Sequence, residues 1–239
     1  LYDSSALSVS RLESFAACPF RHFVDHGLRP AKRQEWKVER NALGIFCHAA
    51  MEGFIRRGRA HPQWPRLSRE QAEGQMDEVL GDMTQGWEEA PWADTPRARE
   101  NAARALDICR RMAWSLAEGS RDSAFVPTLP EARFGPEAGQ APVEILLAGG
   151  RVVALRGSID RLDVAVDGEL RLLRVVDYKS DGKALSAGEV DAGTQLQLLL
   201  YLKAALALLK DHLPAGAFNQ RLSDPLVRAQ DAAEAEKKA

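Results

Sequence analysis

The spacing of apolar residues changes character near residue 120, and no other feature of this sequence constrains the fold as strongly. Before that point the sequence carries helix signals. Ser10 with Glu13 fits a capping box at the start of a first helix, and Ser68 with Gln71 fits another. The first half of the chain is therefore expected to be helical, with two further helices predicted at 41–55 and 96–119.

After residue 120 the signals are those of strands: short segments rich in Val, Leu and Ile, separated by Gly or Pro. The predicted strands lie at 124–134, 143–147, 152–155, 158–166, 170–178 and 217–222. An apolar helix is predicted over 194–209, and because apolar residues encircle it, we expect it to be buried. The predicted class is α+β, with a helical segment over 1–120 and a sheet with its helix over 121–239, in one continuous domain.

Length and composition set the broad class. A chain of 239 residues, 45% of them hydrophobic, can bury a core without disulfides. The three cysteines, Cys18, Cys47 and Cys109, form no CxxC pair, which argues against a disulfide framework or a self-contained zinc finger. No apolar run reaches membrane-spanning length and no signal-peptide core is visible, so we expect a cytoplasmic protein without a membrane partner. Because the chain opens with Leu1, we expect it to be a fragment of a longer protein.

The charge of the chain leaves its partners open. A net charge of −2 does not by itself indicate a nucleic-acid partner. Residues 1–60 nevertheless hold ten Lys and Arg against six Asp and Glu, which is compatible with a surface that faces phosphate groups. A solvated helix face would explain the same excess.

A cluster of charged residues is predicted at the end of one hairpin. The dipeptide at 167–168, Asp-Gly, is a strong signal for a two-residue turn. In the register that this turn imposes, Asp160 lies diagonally beside Asp177. Because side chains alternate along a strand, Lys179 shares their face. Two carboxylates at this separation can bridge a divalent cation.

The same three charges would also suit a surface salt bridge on the exposed side of a sheet. The neighbouring residues on both strands are apolar, however, which predicts strands that are buried on both faces. These neighbours are Ile159, Leu172, Leu173, Val175 and Val176. Buried carboxylates need a metal ion or a charged partner, so the cluster is a candidate functional site.

Six elements of the sequence, in the same order, resemble the RecB-like branch of the PD-(D/E)XK nucleases. They are the opening over 7–20 (LSVSRLE to CPF), GIFCH at 44–48, Glu131 ahead of Phe134, GSIDR at 157–161, VDYKS at 176–180, and Gln197 with Tyr201 in a Gln-x-x-x-Tyr helix. The opening is similar to the start of the C-terminal nuclease domain of AddB-type helicase–nuclease subunits. The resemblance covers about residues 7–222.

The resemblance implies a restriction-endonuclease-like core, in which a mixed sheet is flanked by helices, and it implies metal-dependent hydrolysis of DNA. Its implied cofactor is Mg²⁺, or Mn²⁺, bound by His48, Asp160 and Asp177. Its implied catalytic residues are Asp160, Asp177, Lys179, Gln197 and Tyr201.

Several of these residues also have structural explanations. Without the resemblance, His48 would more readily be a satisfied core histidine, and Glu131 suits a structural strand carboxylate about as well as a site residue. Gln197 and Tyr201 lie one helical turn apart, and a pair of structural hydrogen bonds would account for them equally well.

In AddB-type domains an early cysteine joins three later ones to hold a [4Fe–4S] cluster. Cys18 matches the first of these, but no cysteine follows Cys109. A cluster is therefore expected only in a longer parent protein, and Cys18 in this chain is otherwise a simple buried thiol.

The function implied is that of a DNA exonuclease domain within a helicase–nuclease that processes double-strand-break ends for recombinational repair. Its partners would be DNA and an AddA-type helicase subunit. The alternative is a nuclease-fold DNA-binding or scaffold module that has lost catalysis, although the intact Asp160, Asp177 and Lys179 argue against such loss. A stand-alone phage or CRISPR-type exonuclease is a third interpretation.

Overall fold

The computed structural model describes residues 6–30, 40–85, 95–139, 143–147, 149–179 and 184–222. The part of the predicted second half beyond residue 222 lies outside these described residues. The elements, in chain order, are β1 (Leu7–Ser8), α1 (Val9–Ala17), α2 (Pro19–Phe23) with a π-helical turn (Val24–Leu28), α3 (Arg40–Gly58), α4 (Arg69–Thr84), α5 (Pro96–Gly119), β2 (Val126–Phe134) with a short 3₁₀ turn (Pro136–Ala138), β3 (Val143–Leu146), β4 (Val152–Asp167), β5 (Leu170–Lys179), α6 (Ala187–Asp191), α7 (Gln197–Leu208) and β6 (Leu213–Arg221).

The sheet is mixed, has six strands and is organised around β4. β4 pairs in parallel with β1 and antiparallel with β2, β3 and β5, and β6 pairs in parallel with β5. The sequence predicts two strands, 152–155 and 158–166, where the structure has one, because Gly157, which the pattern marks as a break, is an interior residue of β4. A mixed sheet flanked by helices confirms the predicted α+β class.

The hairpin between β4 and β5 turns one residue later than predicted. Its two turn residues are Gly168 and Glu169, with Asp167 paired to Leu170. Gly168 has a φ of +59°, at the first central position, where a type II′ turn favours glycine. The later turn shifts the pairing by two residues, and since side chains alternate with a period of two, every side chain keeps its predicted face.

Two cores lie on the two faces of this hairpin. The helices α3, α4 and α5 pack together and cover the face that carries Val176 and Tyr178. The helix α7 covers the other face, over Leu162, Leu173 and Val175. The prediction that α7 is buried all round was wrong, because one side of this apolar helix faces solvent, with Leu199 47% exposed.

The helix caps agree with the sequence at two positions and differ at one. Ser68 and Gln71 form the predicted capping box, and Thr95 caps α5. The predicted box of Ser10 with Glu13 is wrong, because α1 begins two residues earlier and Ser8 accepts the capping hydrogen bond from Arg11. This frees the Glu13 carboxylate for a distant contact. None of the described helices is both long and apolar enough to cross a membrane.

Candidate active site

The site lies where β4 and β5 stop pairing. The last backbone pair is Arg161 with Val176, so Asp160 comes one residue beyond the end of the ladder. Its Oδ2 accepts a 2.6 Å hydrogen bond from the backbone N–H of Tyr178. The carboxylate of Asp160 thus takes the place of a backbone partner for the Tyr178 N–H. Beyond this point the two strands no longer pair, and groups from other elements lie there.

Two such groups meet Asp160: the imidazole of His48 from α3 and the carboxylate of Glu131 from β2. Each of the three residues offers one ligand atom, and the three atoms lie within 4.8 Å of one another. His48 Nδ1 is 3.3 Å from Asp160 Oδ1. This set, called the acid–imidazole group below, has the ligand types that divalent cations take in proteins.

Helix α3 delivers His48 because its other face is anchored in the helical core. The preceding residue, Cys47, is fully buried there, while the ring of His48 emerges beside the sheet. The edge of that ring meets Tyr178, with 5.5 Å between ring centroids. Tyr178 therefore fixes two members of the group, Asp160 through its N–H and His48 through its ring.

Glu131 is held in a backbone conformation that non-glycine residues seldom adopt, with φ at +48°. Its Oε2 accepts a 2.6 Å hydrogen bond from the Ser158 hydroxyl. Left-handed conformations cost a non-glycine residue on the order of 1–3 kcal/mol and concentrate at functional sites. The conformation and the Ser158 bond together aim this carboxylate at His48 and Asp160.

The second half of the site is the pair Asp177 and Lys179, on the face covered by α7. Lys179 Nζ lies 2.7 Å from Asp177 Oδ2, at ion-pair distance but without hydrogen-bond alignment. The amide of Gln197 joins the two, since its Nε2 donates to Asp177 Oδ1 at 2.9 Å and its Oε1 accepts from Lys179 Nζ at 2.5 Å. The same Nε2 lies 3.1 Å from the Tyr201 hydroxyl.

The electrostatics of the site show an excess of negative charge in a poorly solvated place. Burial, followed by the charge of Asp160, raises the pKa of Asp177 to about 6, although Lys179 opposes the shift. Burial also raises the pKa of Glu131. Burial lowers the pKa of His48, but the hydrogen bond and charge of Asp160 outweigh this and raise it overall. A bound cation would lower the pKa of Asp177 and of Glu131 and would thus reverse both of these shifts.

This structure therefore fits a divalent metal ion. The carboxylates of Glu131, Asp160 and Asp177 lie near one another, beside the Lys179 ammonium and the His48 imidazole. Oxygen ligands supplemented by an imidazole suit Mg²⁺ or Mn²⁺.

The predicted site residues all lie in one region, but not as one ligand set. His48 and Asp160 meet as predicted, and Glu131, which the sequence left undecided, completes their group. Asp177, the third predicted ligand, contacts Gln197 and Lys179 and lies outside this three-atom group. Pro130 lies within β2 directly before Glu131, and a proline inside a strand is the sequence signal for an irregular backbone there.

The cysteines are separated by the fold. Cys47 and Cys109 touch in the helical core, with 3.7 Å between their Sγ atoms. Cys18 stands at the corner between α1 and α2, half-buried, and its Sγ accepts from the Arg21 N–H at 3.4 Å. The three thiols are thus distributed over two places.

Comparison with known proteins agrees with this geometry. The family description "PD-(D/E)XK nuclease superfamily" matches residues 6–239. An ATP-dependent helicase/deoxyribonuclease subunit of Alkaliphilus oremlandii is 36% identical over 232 residues, or 95% of this chain and 20% of that protein. Proteins of the same name from Heliobacterium modesticaldum and Geobacillus kaustophilus are 39% and 34% identical, over 85% and 93% of the chain and 17% and 20% of their own lengths.

The chain spans about a fifth of the length of these relatives. The resemblance that the motifs indicated is confirmed, both for the nuclease superfamily and for the similarity to AddB-type helicase–nuclease subunits. With the mixed sheet, the acid–imidazole group and this match over nearly its full length, the chain belongs to the PD-(D/E)XK nuclease superfamily.

Proposed function

We propose that this chain is a metal-dependent deoxyribonuclease domain that hydrolyses the phosphodiester bonds of DNA as an exonuclease. One observation carries the proposal: a single short segment of β5 joins the acid–imidazole group to the pair Asp177 and Lys179. The N–H of Tyr178 holds Asp160, and its two chain neighbours are Asp177 and Lys179. Groups that bind a cation and a group that acts on a phosphate are therefore held at a fixed separation, as in-line displacement requires.

The cation would be Mg²⁺ or Mn²⁺. His48, Glu131 and Asp160 would hold it, and Asp177 would join them as the family resemblance implies. When bound, the cation supplies positive charge that favours deprotonation of water and offsets the charge that grows on the scissile phosphate.

Lys179 is the group of this chain best placed to act on the phosphate itself. Its side chain is 31% exposed, whereas that of its partner Asp177 is 2% exposed, so the ammonium faces the solvent from which a substrate would come. Asp177 and Gln197 fix its position. We propose that it neutralises phosphate oxygens in the transition state and orients the attacking water.

The setting of the domain is proposed from its relatives. They are named as subunits of an ATP-dependent helicase/deoxyribonuclease. We therefore propose that the chain acts in a larger helicase–nuclease, together with an AddA-type helicase subunit, on the ends of broken DNA in the cytoplasm. A [4Fe–4S] cluster that includes Cys18 would need thiolates from outside this chain, because Cys47 and Cys109 are paired in the core.

We also propose that residues 1–120 and 121–239 form one continuous nuclease domain. The site supports this view, because α3 of the first part contributes His48 to a group whose two carboxylates come from β2 and β4 of the second. Neither part holds the complete acid–imidazole group.

The test is cleavage of a labelled linear duplex and a labelled single strand in Mg²⁺ and in Mn²⁺. Asp177→Ala should abolish cleavage, whereas Asp107→Ala, an exposed ion-paired aspartate of α5, should cleave like the parent. Lys179→Ala should cleave about 100- to 1,000-fold more slowly while its Mn²⁺ affinity stays near that of the parent. Lys203→Ala, at an exposed position of α7, is its matched control.

DNA binding separates the two functions considered. Measured by filter binding in Ca²⁺, it should survive both site variants, because it depends on many phosphate contacts. A parent chain that binds DNA but cuts in neither metal would be a nuclease-fold binding module. Cleavage by Asp177→Ala at the parent rate would assign the activity to another site or another protein.

A further inference from the structure

We propose that Glu13 is a positioning residue for the nuclease reaction: its carboxylate holds the start of α7 where Gln197 can reach Asp177 and Lys179. The inference rests on the proposed nuclease function and extends it to a residue that lies 183 positions before Leu196, the N-cap of α7. It follows from three sets of contacts, those of Glu13 itself, those that anchor α1, and those of Gln197.

The first set caps a helix from outside. Glu13 Oε1 accepts the backbone N–H of Leu196 at 2.7 Å and that of Gln197 at 2.9 Å. The first N–H groups of a helix have no partner within the helix, and a carboxylate is the acceptor that their aligned dipoles favour. The N-cap of α7 is Leu196, whose side chain cannot accept a hydrogen bond, so Glu13 supplies what the local sequence lacks.

The second set anchors the helix that carries Glu13. α1 follows directly from β1, which pairs with Leu155 and Arg156 of the central strand β4. α1 also meets the turn that leads into α7, because a side chain built at Gly193 would approach the Ala16 Cβ to 3.2 Å. Gly193 has a φ of +76°, which further restricts this position to glycine. The helix α1, which carries Glu13, is thus anchored both to β4, through β1, and to the turn before α7.

The third set transmits the position of α7 to the site. The residue whose backbone N–H Glu13 holds is the residue whose side chain bridges the reactive pair. The amide nitrogen of Gln197 donates to Asp177, and its amide oxygen accepts from Lys179. A shift of the α7 backbone at this residue would therefore lengthen both bonds together and leave the ammonium of Lys179 less well oriented.

A double-mutant cycle tests the coupling. Glu13→Ala should lower kcat by about 10-fold or more, since small displacements at a reacting group are costly. The KM for DNA and the Mn²⁺ affinity should stay near those of the parent, because Glu13 touches neither the acid–imidazole group nor the exposed tip of Lys179. In a Gln197→Ala background the same change should cost little more, because the two act through one path.

Two further variants separate positioning from folding. Glu13→Gln keeps an acceptor oxygen without the charge and should give a rate between those of the parent and Glu13→Ala. Glu118→Ala removes an exposed, ion-paired glutamate of α5 and should behave like the parent in melting and in rate. Additive losses in the double variant, or a loss of rate explained entirely by a lower folded fraction, would overturn the inference.

A readout without DNA or metal keeps this inference distinct from the proposed function. Amide hydrogen exchange at Leu196 and Gln197, followed by NMR, should be faster in Glu13→Ala than in the parent or in Glu118→Ala. Unchanged exchange at both amides would refute the role of Glu13 whatever the cleavage results. A parent that never cleaves DNA would refute the proposed function alone, and the exchange rates would still decide whether Glu13 holds α7.

Discussion

Two groups of charged residues lie on the β4–β5 hairpin, and they differ in how their charges are matched. On the face covered by α3 to α5, Asp163 accepts from Arg161 at 2.9 Å and from Arg174 at 2.8 Å. Arg161 also donates to the Tyr178 hydroxyl and to Gln220, both at 3.0 Å. Each buried oxygen of Asp163 has its own guanidinium. We call these residues the arginine network.

In the candidate active site, the carboxylates of Glu131, Asp160 and Asp177 lie near the Lys179 ammonium and the His48 imidazole, and burial together with the charge of Asp160 raises the pKa of Asp177. The charges of the arginine network are thus matched without any ligand. The acid–imidazole group, together with Asp177 and Lys179, has an excess of negative charge that a cation would remove. Burial alone does not distinguish them, since Asp163 and Asp177 are both almost fully buried. The difference is that the protein satisfies one aspartate by itself and leaves the other in need of positive charge.

The largest expected effect on stability is at the arginine network. Asp163→Ala leaves the buried Arg161 without its counter-charge and should lower the free energy of unfolding by about 3–5 kcal/mol. Urea unfolding in EDTA measures it, with Asp167→Ala, an exposed aspartate at the end of the same strand, as the control. Asp163→Asn, which keeps an acceptor oxygen, should lose less. If Asp163→Ala unfolded at the same urea concentration as the control, the network would not be structural.

The sequence predicted the faces of the paired hairpin residues correctly because that prediction depended only on alternation. The turn lies one residue later than expected, yet a shift of two residues in the pairing leaves each paired side chain on its predicted face. The same alternation places Arg161 and Asp163 together on one face of β4, and the structure shows the arginine network there.

The sequence could not predict contacts set by tertiary packing. The helical signals around Glu13 suggested a local cap, but its partners are 183 and 184 residues away, and only the docking of α1 on α7 brings them together. The place of Glu131 depends on an unusual φ, which no residue preference indicates for glutamate. The exposed side of α7 was missed for the opposite reason, because an apolar sequence predicts burial without saying what covers it.

A smaller effect is expected in the pH dependence of stability, and it concerns Asp177. The pKa of Asp177 is about 6 in the fold against an ordinary value of 3.8, so the native state holds this proton more tightly than the unfolded state does. The contribution of the group to stability is therefore present at about pH 4 and is lost as pH rises through about 6. In EDTA at pH 7, Asp177→Asn should be more stable than the parent by up to about 3 kcal/mol.

This gain should disappear at about pH 4, where the parent carboxyl is largely protonated in the fold. Thermal melting across this range, beside Asp107→Asn on the exposed face of α5, gives the comparison. A variant that was less stable than the parent at pH 7 would show that Lys179 satisfies Asp177 as completely as the two arginines satisfy Asp163.

The smallest effect concerns His48 of the acid–imidazole group, whose ring meets both Tyr178 and Asp160. If it serves the acid–imidazole group, His48→Ala should weaken Mn²⁺ binding by at least about 10-fold while lowering the melting temperature little, because the ring is partly exposed. Calorimetric titration with Mn²⁺ beside thermal melting distinguishes this from a core role, and His61→Ala, on the loop after α3, is the matched control. Unchanged Mn²⁺ affinity with a large drop in melting temperature would place His48 with the structural residues around Tyr178 and leave the two carboxylates as the cation ligands.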